Sequence, residues 1–211
     1  MDRLRQKITS YSGFGFLTLL GVIVLSFGIY IPWYGIYGDD WQYLYLYHLL
    51  GVGGYGPFVM ADRPFSAWVY WLYTPLVGEF HPGYHLILLG LRLGAALMFW
   101  WVLRLVWKDK PWQVLWVAIL IAIYPSFKQQ PLPLEYVLHF TILILVLLSL
   151  ALMLLSIRKN SPFNWMTVVG VLASAGIFSI EYFVGLELAR PFIIWFTLKQ
   201  PTGKKKVVDT L

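Results

Sequence analysis

The chain of 211 residues is 59% hydrophobic and only 12% charged, and it carries a formal net charge of +6. A soluble globular domain has about 25% charged residues, so this composition excludes an ordinary water-soluble enzyme and a disordered chain. It predicts an all-α integral membrane protein, built as a polytopic helical bundle. Cysteine is absent, which excludes a disulfide framework, a thiolate metal site and a cysteine nucleophile.

The long apolar runs predict six transmembrane helices, because a helix needs about 20 mostly apolar residues to cross the hydrocarbon core. Residues 1–12 are predicted to be a cytoplasmic N-terminus that precedes an uncleaved signal anchor. The bundle is expected to cover residues 13–198, with spans at 13–34, 86–107, 112–127, 134–157, 163–180 and 182–198.

Two segments lie outside these predicted spans. Residues 35–85 are expected to form an extracytoplasmic loop, in which the apolar stretch 64–78 is too short for a span. That stretch, which contains Pro75, predicts an interfacial or re-entrant helix. Residues 199–211 are expected to form a basic cytoplasmic tail.

Lysine and arginine residues are distributed unevenly between the two sides of this predicted bundle. Arg63 and Lys128 fall on the loop side, Arg92 and Arg190 fall within spans, and the other twelve fall on the side of the N-terminus. The positive-inside rule therefore places both termini in the cytoplasm. The basic tail is expected to contact anionic membrane lipid, and nucleic acid is not an expected partner.

Asp39 and Asp40 follow the first predicted span directly, in the sequence Gly38-Asp39-Asp40-Trp41. A carboxylate at the outer end of a helix can act as a general base or bind a divalent cation. The alternative is structural, with Gly38 ending one helix and Asp39 capping a second helix that runs from Trp41 to about residue 50.

Several other ionisable residues lie near the outer ends of the spans. Glu135 and His139 are four residues apart and are expected to share a helix face as a hydrogen-bonded pair. Glu187 and Arg190 are three residues apart and predict a structural intramembrane ion pair. Glu181 has no partner nearby in the sequence, so it is free to meet Asp39 or Asp40 across the bundle.

Arg63 and the two histidines 81 and 85 also allow two interpretations each. Arg63 can bind a phosphate or pair locally with Asp62. His81 and His85 are four residues apart, but Pro82 lies between them and argues against a helical metal pair.

Together these segments resemble the N-terminal half of bacterial GT-C glycosyltransferases, the multi-span family that includes protein O-mannosyltransferase-like enzymes. The motifs that carry the resemblance are Gly38-Asp39-Asp40-Trp41, Asp62-Arg63-Pro64-Phe65-Ser66, Pro82-Gly83-Tyr84-His85, Ile180-Glu181-Tyr182 and Glu187-Leu188-Ala189-Arg190-Pro191.

The resemblance implies transfer of a sugar from a polyprenyl-phosphate donor to an acceptor hydroxyl at the outer face of the bacterial cytoplasmic membrane. It implies that Asp39 or Asp40 is the catalytic carboxylate, and that Asp40 is a metal ligand in members that use Mg²⁺ or Mn²⁺. Arg63, Glu181, His85 and Tyr43 are then expected to contact the donor or the acceptor.

The alternative hypothesis is a non-catalytic membrane subunit that has this fold and packs against other membrane chains. It is motivated by the 11 Trp, 14 Tyr and 14 Phe residues, which offer a large aromatic surface. In that case the aspartate pair is dispensable for function. A transporter or channel is less favoured, because no inverted repeat is visible and few charged residues lie deep in the spans.

Overall fold

The computed structural model describes residues 2–60, 62–124, 130–159 and 163–199, and every regular element in these ranges is helical. The α-helices are α1 (Asp2–Ser26), α2 (Asp40–Leu50), α3 (Tyr55–Val59), α4 (Ala67–Val77), α5 (His81–Val106), α6 (Pro111–Ala122), α7 (Pro133–Lys159), α8 (Phe163–Ser179), α9 (Val184–Glu187) and α10 (Ala189–Lys199). Short 3-10 helices cover Gly28–Trp33, Gly51–Gly54 and Glu181–Phe183.

Three helical segments in the described ranges are long and apolar enough to cross a membrane. They are Ser12–Trp33, His81–Val106 and Pro133–Arg158, with 22, 26 and 26 residues. The sequence predicted spans at 13–34, 86–107 and 134–157 in the same places. The all-helical class is confirmed, and these three segments support association with a membrane.

Of the other three predicted spans, one matches an observed helix and two differ from the structure. Helix α6 has only 12 residues and is about 18 Å long, whereas the sequence predicted a span at 112–127; the end of that span lies outside the described residues. Helix α8 closely matches the predicted 163–180. The predicted span 182–198 is broken at Leu188 into α9 and α10.

Two predicted boundaries, the end of the loop and the end of the N-terminal segment, also differ from the observed helix bounds. Helix α5 begins at His81, so the loop ends near residue 80 rather than 85, because a proline such as Pro82 fits the first turn of a helix. Helix α1 begins at Asp2, so the predicted N-terminal segment is part of the first helix. The predicted tail beyond Lys199 lies outside the described residues.

Helices α5 and α7 form the centre of the bundle and pack most extensively against each other. Leu19 and Ile23 of α1 and Leu115 and Ala118 of α6 complete a core on one side of α5. On the other side, α7 packs against α8, where the hydroxyl of Ser149 donates to the carbonyl of Val169.

Consecutive long helices run in alternate directions between two ends of the bundle. At the end that we call the loop end, the backbone carbonyls of Gly35 and Gln130 both contact the imidazole of His85. At the opposite, basic end, the guanidinium of Arg104 donates to Ser12 and that of Arg158 donates to the Leu105 carbonyl. The short helices α2, α3 and α4 cover the loop end.

Large apolar side chains cover much of the outside of the bundle. Those more than 40% exposed include Phe14 and Leu17 of α1, Trp116 and Leu120 of α6, and Phe192 of α10. In water such a surface is costly, whereas lipid chains solvate it well. The exposed surface is therefore consistent with the membrane association indicated by helix length.

Candidate functional site

A polar cavity of about 320 Å³ lies at the loop end, between α2, the turn after α3, and the first turn of α7. Its volume is at the lower end of the range for small-molecule sites. Three carboxylates and one guanidinium are among the groups that line this cavity. The lining residues are Asp39, Gln42, Tyr43, Phe58, Val59, Asp62, Arg63, Ser66, Tyr70, Glu135 and Leu138.

Asp39 reaches this cavity because the chain turns sharply just before it. Gly38 has a φ of +52°, in the left-handed region that glycine adopts at low cost. Asp39 itself is exposed, and it occupies the N-cap position of α2 without a side-chain capping hydrogen bond. Its carboxylate is therefore accessible to a ligand, rather than engaged in the cap that the structural alternative predicted.

Asp40 points the other way and caps a different helix. It is fully buried, and its two carboxylate oxygens accept hydrogen bonds from the backbone N–H groups of Leu134 at 3.0 Å and Glu135 at 2.8 Å. These are unsatisfied donors of the first turn of α7. Burial raises the pKa of Asp40 to about 7, although the two N–H groups favour the ionised form.

Arg63 supplies the positive charge of the polar cavity. Its guanidinium lies 3.6 Å from a carboxylate oxygen of Glu181 and 3.9 Å from one of Asp62, and it stands 5.6 Å from the ring centre of Tyr182. Burial opposes its charge, but the two carboxylates outweigh this effect and raise its pKa. The hydroxyl of Ser66 donates to the Arg63 carbonyl at 2.7 Å and holds the turn.

A stack of aromatic rings holds the short helices together behind the cavity. Tyr70 of α4 stacks between Tyr43 of α2 and Tyr55 of α3, with ring centres 4.9 and 5.0 Å apart. The Tyr55 hydroxyl also donates to the Tyr43 carbonyl at 3.1 Å. These contacts fix Asp39, which precedes α2, relative to Arg63, which follows α3.

A second, larger and mostly apolar cavity of about 590 Å³ extends from the loop end into the bundle. Helices α5 and α7 line its floor, the end of α6 lines one side, and residues 182–186 line the other. Glu135 lines both cavities. Deep in this cavity, the guanidinium of Arg92 lies 4.0 Å from the ring centre of Phe27 and 4.8 Å from that of Phe140.

Some predicted site residues have other surroundings. His85 does not line the polar cavity; it is buried, contacts two backbone carbonyls and packs 5.3 Å from the ring of Tyr34. Glu181 lies beside Arg63 rather than beside either aspartate. His139 contacts the backbone carbonyl of Glu135 at 3.2 Å rather than its carboxylate.

The structure brings Glu187 and Arg190 together as the sequence predicted for the structural pair. The guanidinium of Arg190 donates to both carboxylate oxygens of Glu187, and also to the hydroxyl of Ser149 at 2.6 Å. The pair therefore ties the start of α10 to the middle of α7.

A metal role for Asp40 is not supported by its surroundings. Both of its oxygens are engaged by α7, and in the described ranges no group of three or more His, Asp and Glu side chains forms a set that could hold a metal ion. A metal role for Asp40 stays a prediction.

Three residues that line these cavities were not predicted from the sequence to do so. Glu135 was interpreted as half of a local pair, yet its place in the first turn of α7 brings it to both cavities. Arg92 carried a signal, because an arginine within a span is expected to face the bundle interior. Tyr70 carried none, because one tyrosine in an aromatic-rich stretch does not stand out.

The polar cavity can bind a polar group that carries an anion and offers hydroxyls. Arg63 provides a forked donor for a phosphate or carboxylate, and Asp39 and Glu135 provide carboxylates that can accept protons from hydroxyl groups. No protein-family model matches the chain, and neither a curated protein nor a solved structure gives a significant match.

Proposed function

We propose that this chain is a GT-C-like membrane glycosyltransferase, or its N-terminal module, that transfers a sugar from a polyprenyl-phosphate donor. The observation that carries the proposal is the pair of cavities that Glu135 lines together, one polar and charged, the other apolar and deeper in the bundle. A lipid-linked sugar has the same two parts, a polar head and a long apolar chain, and it cannot leave the bilayer.

In this proposal the residues of the polar cavity divide the chemistry between them. Arg63 holds the donor phosphate, and Asp39 accepts the proton of the acceptor hydroxyl as its oxygen attacks the anomeric carbon. The bond from that carbon to the phosphate oxygen breaks, and polyprenyl phosphate leaves with both electrons. Asp40 has no direct role in this step and instead positions α7.

The proposal includes a six-span topology with both termini in the cytoplasm of a bacterium. It is supported by the alternating directions of the long helices and by the charges at the two ends. Carboxylates gather at the loop end. At the basic end, Arg104 and Lys199 lie in the last turns of α5 and α10, and Lys108 and Lys110 lie between α5 and α6. The loop end then faces outward.

Replacing Asp39 tests the proposed chemistry. Membranes containing the wild-type chain are supplied with a panel of polyprenyl-phosphate hexoses that carry a radiolabelled sugar, and label in the acceptor fraction is counted. Asp39→Asn is expected to lower transfer by about 10² to 10⁴, the usual contribution of a general base, with unchanged protein level. The matched control is Glu79→Gln, an exposed carboxylate at the same end that pairs with His48 outside the cavity.

The alternative, a non-catalytic subunit that packs against partner membrane chains, predicts a different outcome. Asp39→Asn and Glu79→Gln would then behave alike, no hexose in the panel would be transferred, and removing the chain would destabilise a larger complex. Equal transfer by the wild type and Asp39→Asn would also contradict the assigned role of Asp39.

A further inference from the structure

Residues 181–187, which we call the strap, form one wall of the apolar cavity. Tyr182, Phe183 and Leu186 of the strap line that cavity opposite Ile121 and Ala122 of α6. The strap consists of a 3-10 turn and the single-turn helix α9, and Ile180 before it is extended, with φ −149° and ψ 127°. It is therefore held by its contacts rather than by a continuous helix.

Both ends of the strap are anchored. Before it, Ile180 is buried and the hydroxyl of Ser179 donates to the carbonyl of Phe65 at 3.1 Å. After it, Glu187 is bonded to Arg190, which in turn bonds Ser149 of α7. Movement between these anchors changes the wall of the apolar cavity without disturbing the long helices.

Arg63 contacts the start of the strap, whereas Phe183 and Leu186 further along pack against the hydrophobic core. The guanidinium lies 3.6 Å from the Glu181 carboxylate and 5.6 Å from the ring centre of Tyr182, which also stacks on His139 with ring centres 5.6 Å apart. The Glu181 side chain is 63% exposed, so this ion pair is weak and easily exchanged. Arg63 also lines the polar cavity.

We infer that an isoprenyl phosphate bound in the polar cavity takes Arg63 from Glu181 and thereby releases the start of the strap from the mouth of the apolar cavity. A phosphate offers a guanidinium two charge-assisted hydrogen bonds, which exceed those of one exposed carboxylate, and its charge repels Glu181. The head of the lipid thus opens the wall beside which its chain must pass. This inference rests on the proposed function for the identity of the ligand.

A distance measurement between two spin labels tests the inference. The chain has no native cysteine, so Val184→Cys in the strap and Leu120→Cys in α6, both on exposed positions, report the width of the cavity mouth in lipid nanodiscs. Farnesyl phosphate is expected to shift the distance distribution to longer values. Farnesol, which has the same chain without the phosphate, is expected to leave the distribution unchanged.

Variants without ligand provide a second arm of the test. Glu181→Gln is expected to raise the population with the released strap about two- to fivefold, the effect of losing one exposed ion pair, whereas Glu79→Gln should match the wild type. In Arg63→Gln, farnesyl phosphate should no longer shift the distances. The inference is overturned by a wild-type distribution that saturating farnesyl phosphate leaves unchanged, or by a Glu181→Gln distribution equal to that of the wild type.

Failure of the proposed function is distinguishable from failure of the strap. The Glu181→Gln measurement contains no ligand and does not depend on sugar transfer. If transfer is absent while Glu181→Gln and farnesyl phosphate both shift the distances, the inferred release of the strap is supported and the transferase assignment is wrong.

Discussion

Asp40 connects the loop end to the core through two hydrogen bonds to α7, a helix that begins 93 residues later. The bond from the Glu135 N–H holds the backbone of Glu135, which lines both cavities, close to Asp40 and so to its sequence neighbour Asp39. At this residue the requirements of folding and of the site coincide, because the cap brings two site carboxylates to one cavity.

The pH dependence of stability tests this role of Asp40. Its folded pKa of about 7 lies above the ordinary value of an aspartate, so the folded state binds a proton more tightly than the unfolded state. The stability contributed by Asp40 is therefore complete below the unfolded pKa and falls as the pH rises from roughly 4 to 7.

Thermal unfolding in detergent between pH 5 and pH 8 measures this effect. The Tm of the wild type is expected to fall more steeply with rising pH than that of Asp40→Asn, which cannot titrate. At pH 5 the variant should be less stable by about 1–2 kcal/mol, because both oxygens of the protonated carboxyl can accept from an N–H group, whereas an amide has only one acceptor oxygen. Parallel pH profiles for the two proteins would contradict the assignment.

The structural alternative drawn from the sequence named Asp39 as the cap of the helix that follows it, whereas the capping aspartate is Asp40 and the helix that it caps is α7. A helix cap is normally recognised because the capping residue precedes its helix directly. Here the adjacent residue Asp39 makes no capping bond, and the cap of α7 comes from a distant part of the chain. Only the three-dimensional arrangement separates the accessible carboxylate from the buried one.

Among the helices, the packing of α1 against α5 depends on one small residue. A Cβ atom at Gly15 would lie only 2.5 Å from the ring of Trp100, whereas a Cβ atom at Gly21 in the same helix would have no neighbour within 4 Å. Gly15 therefore permits a close approach that other residues would prevent.

Alanine substitutions at these two glycines test that packing. In a helix, Ala is favoured over Gly by up to about 1 kcal/mol, so Gly21→Ala should leave the Tm unchanged or raise it. Gly15→Ala should lower the Tm, because the buried indole of Trp100 must move and overpacking costs about 1–3 kcal/mol. If Gly15→Ala is as stable as Gly21→Ala, the two helices do not meet closely at this point.

Apolar runs were sufficient to predict the elements that are long and continuous. Helices α5 and α7 and the first apolar segment lie where hydropathy placed them, and α4 is the predicted short helix. The break at Leu188 was missed because the prediction followed apolar length alone, although Glu187, Arg190 and Pro191 surround Leu188 and a proline fits the first turn of a new helix. The early start of α5 was missed because Pro82 was treated as a helix breaker, although it occupies the first turn.

At the scale of the whole molecule, the distribution of charge and the directions of the helices both support the proposed orientation, in which the loop end faces outward. Helix directions place Ser12, Arg104 and Arg158 at the basic end, and Asp39, Asp62 and Glu181 gather at the loop end around Arg63. In the proposed orientation the polar cavity opens at the outer face of the membrane.

Labelling of single cysteines tests this orientation in intact cells. Val52→Cys in the loop is expected to react with a membrane-impermeant maleimide added outside, because Val52 is exposed at the loop end. Asp109→Cys, exposed between α5 and α6 at the basic end, should react only after the membrane is permeabilised. The reverse pattern would place the cavity on the cytoplasmic side.

Native mass spectrometry of the purified protein measures directly whether the polar cavity binds the head of a lipid-linked sugar phosphate. A polyprenyl-phosphate hexose is expected to remain bound to the wild type, while polyprenol, which lacks the phosphate, dissociates. Arg63→Ala should remove this preference, because it deletes the phosphate donor, whereas Glu79→Gln should retain it. Equal retention of the two lipids by the wild type, or an unchanged preference in Arg63→Ala, would contradict the account.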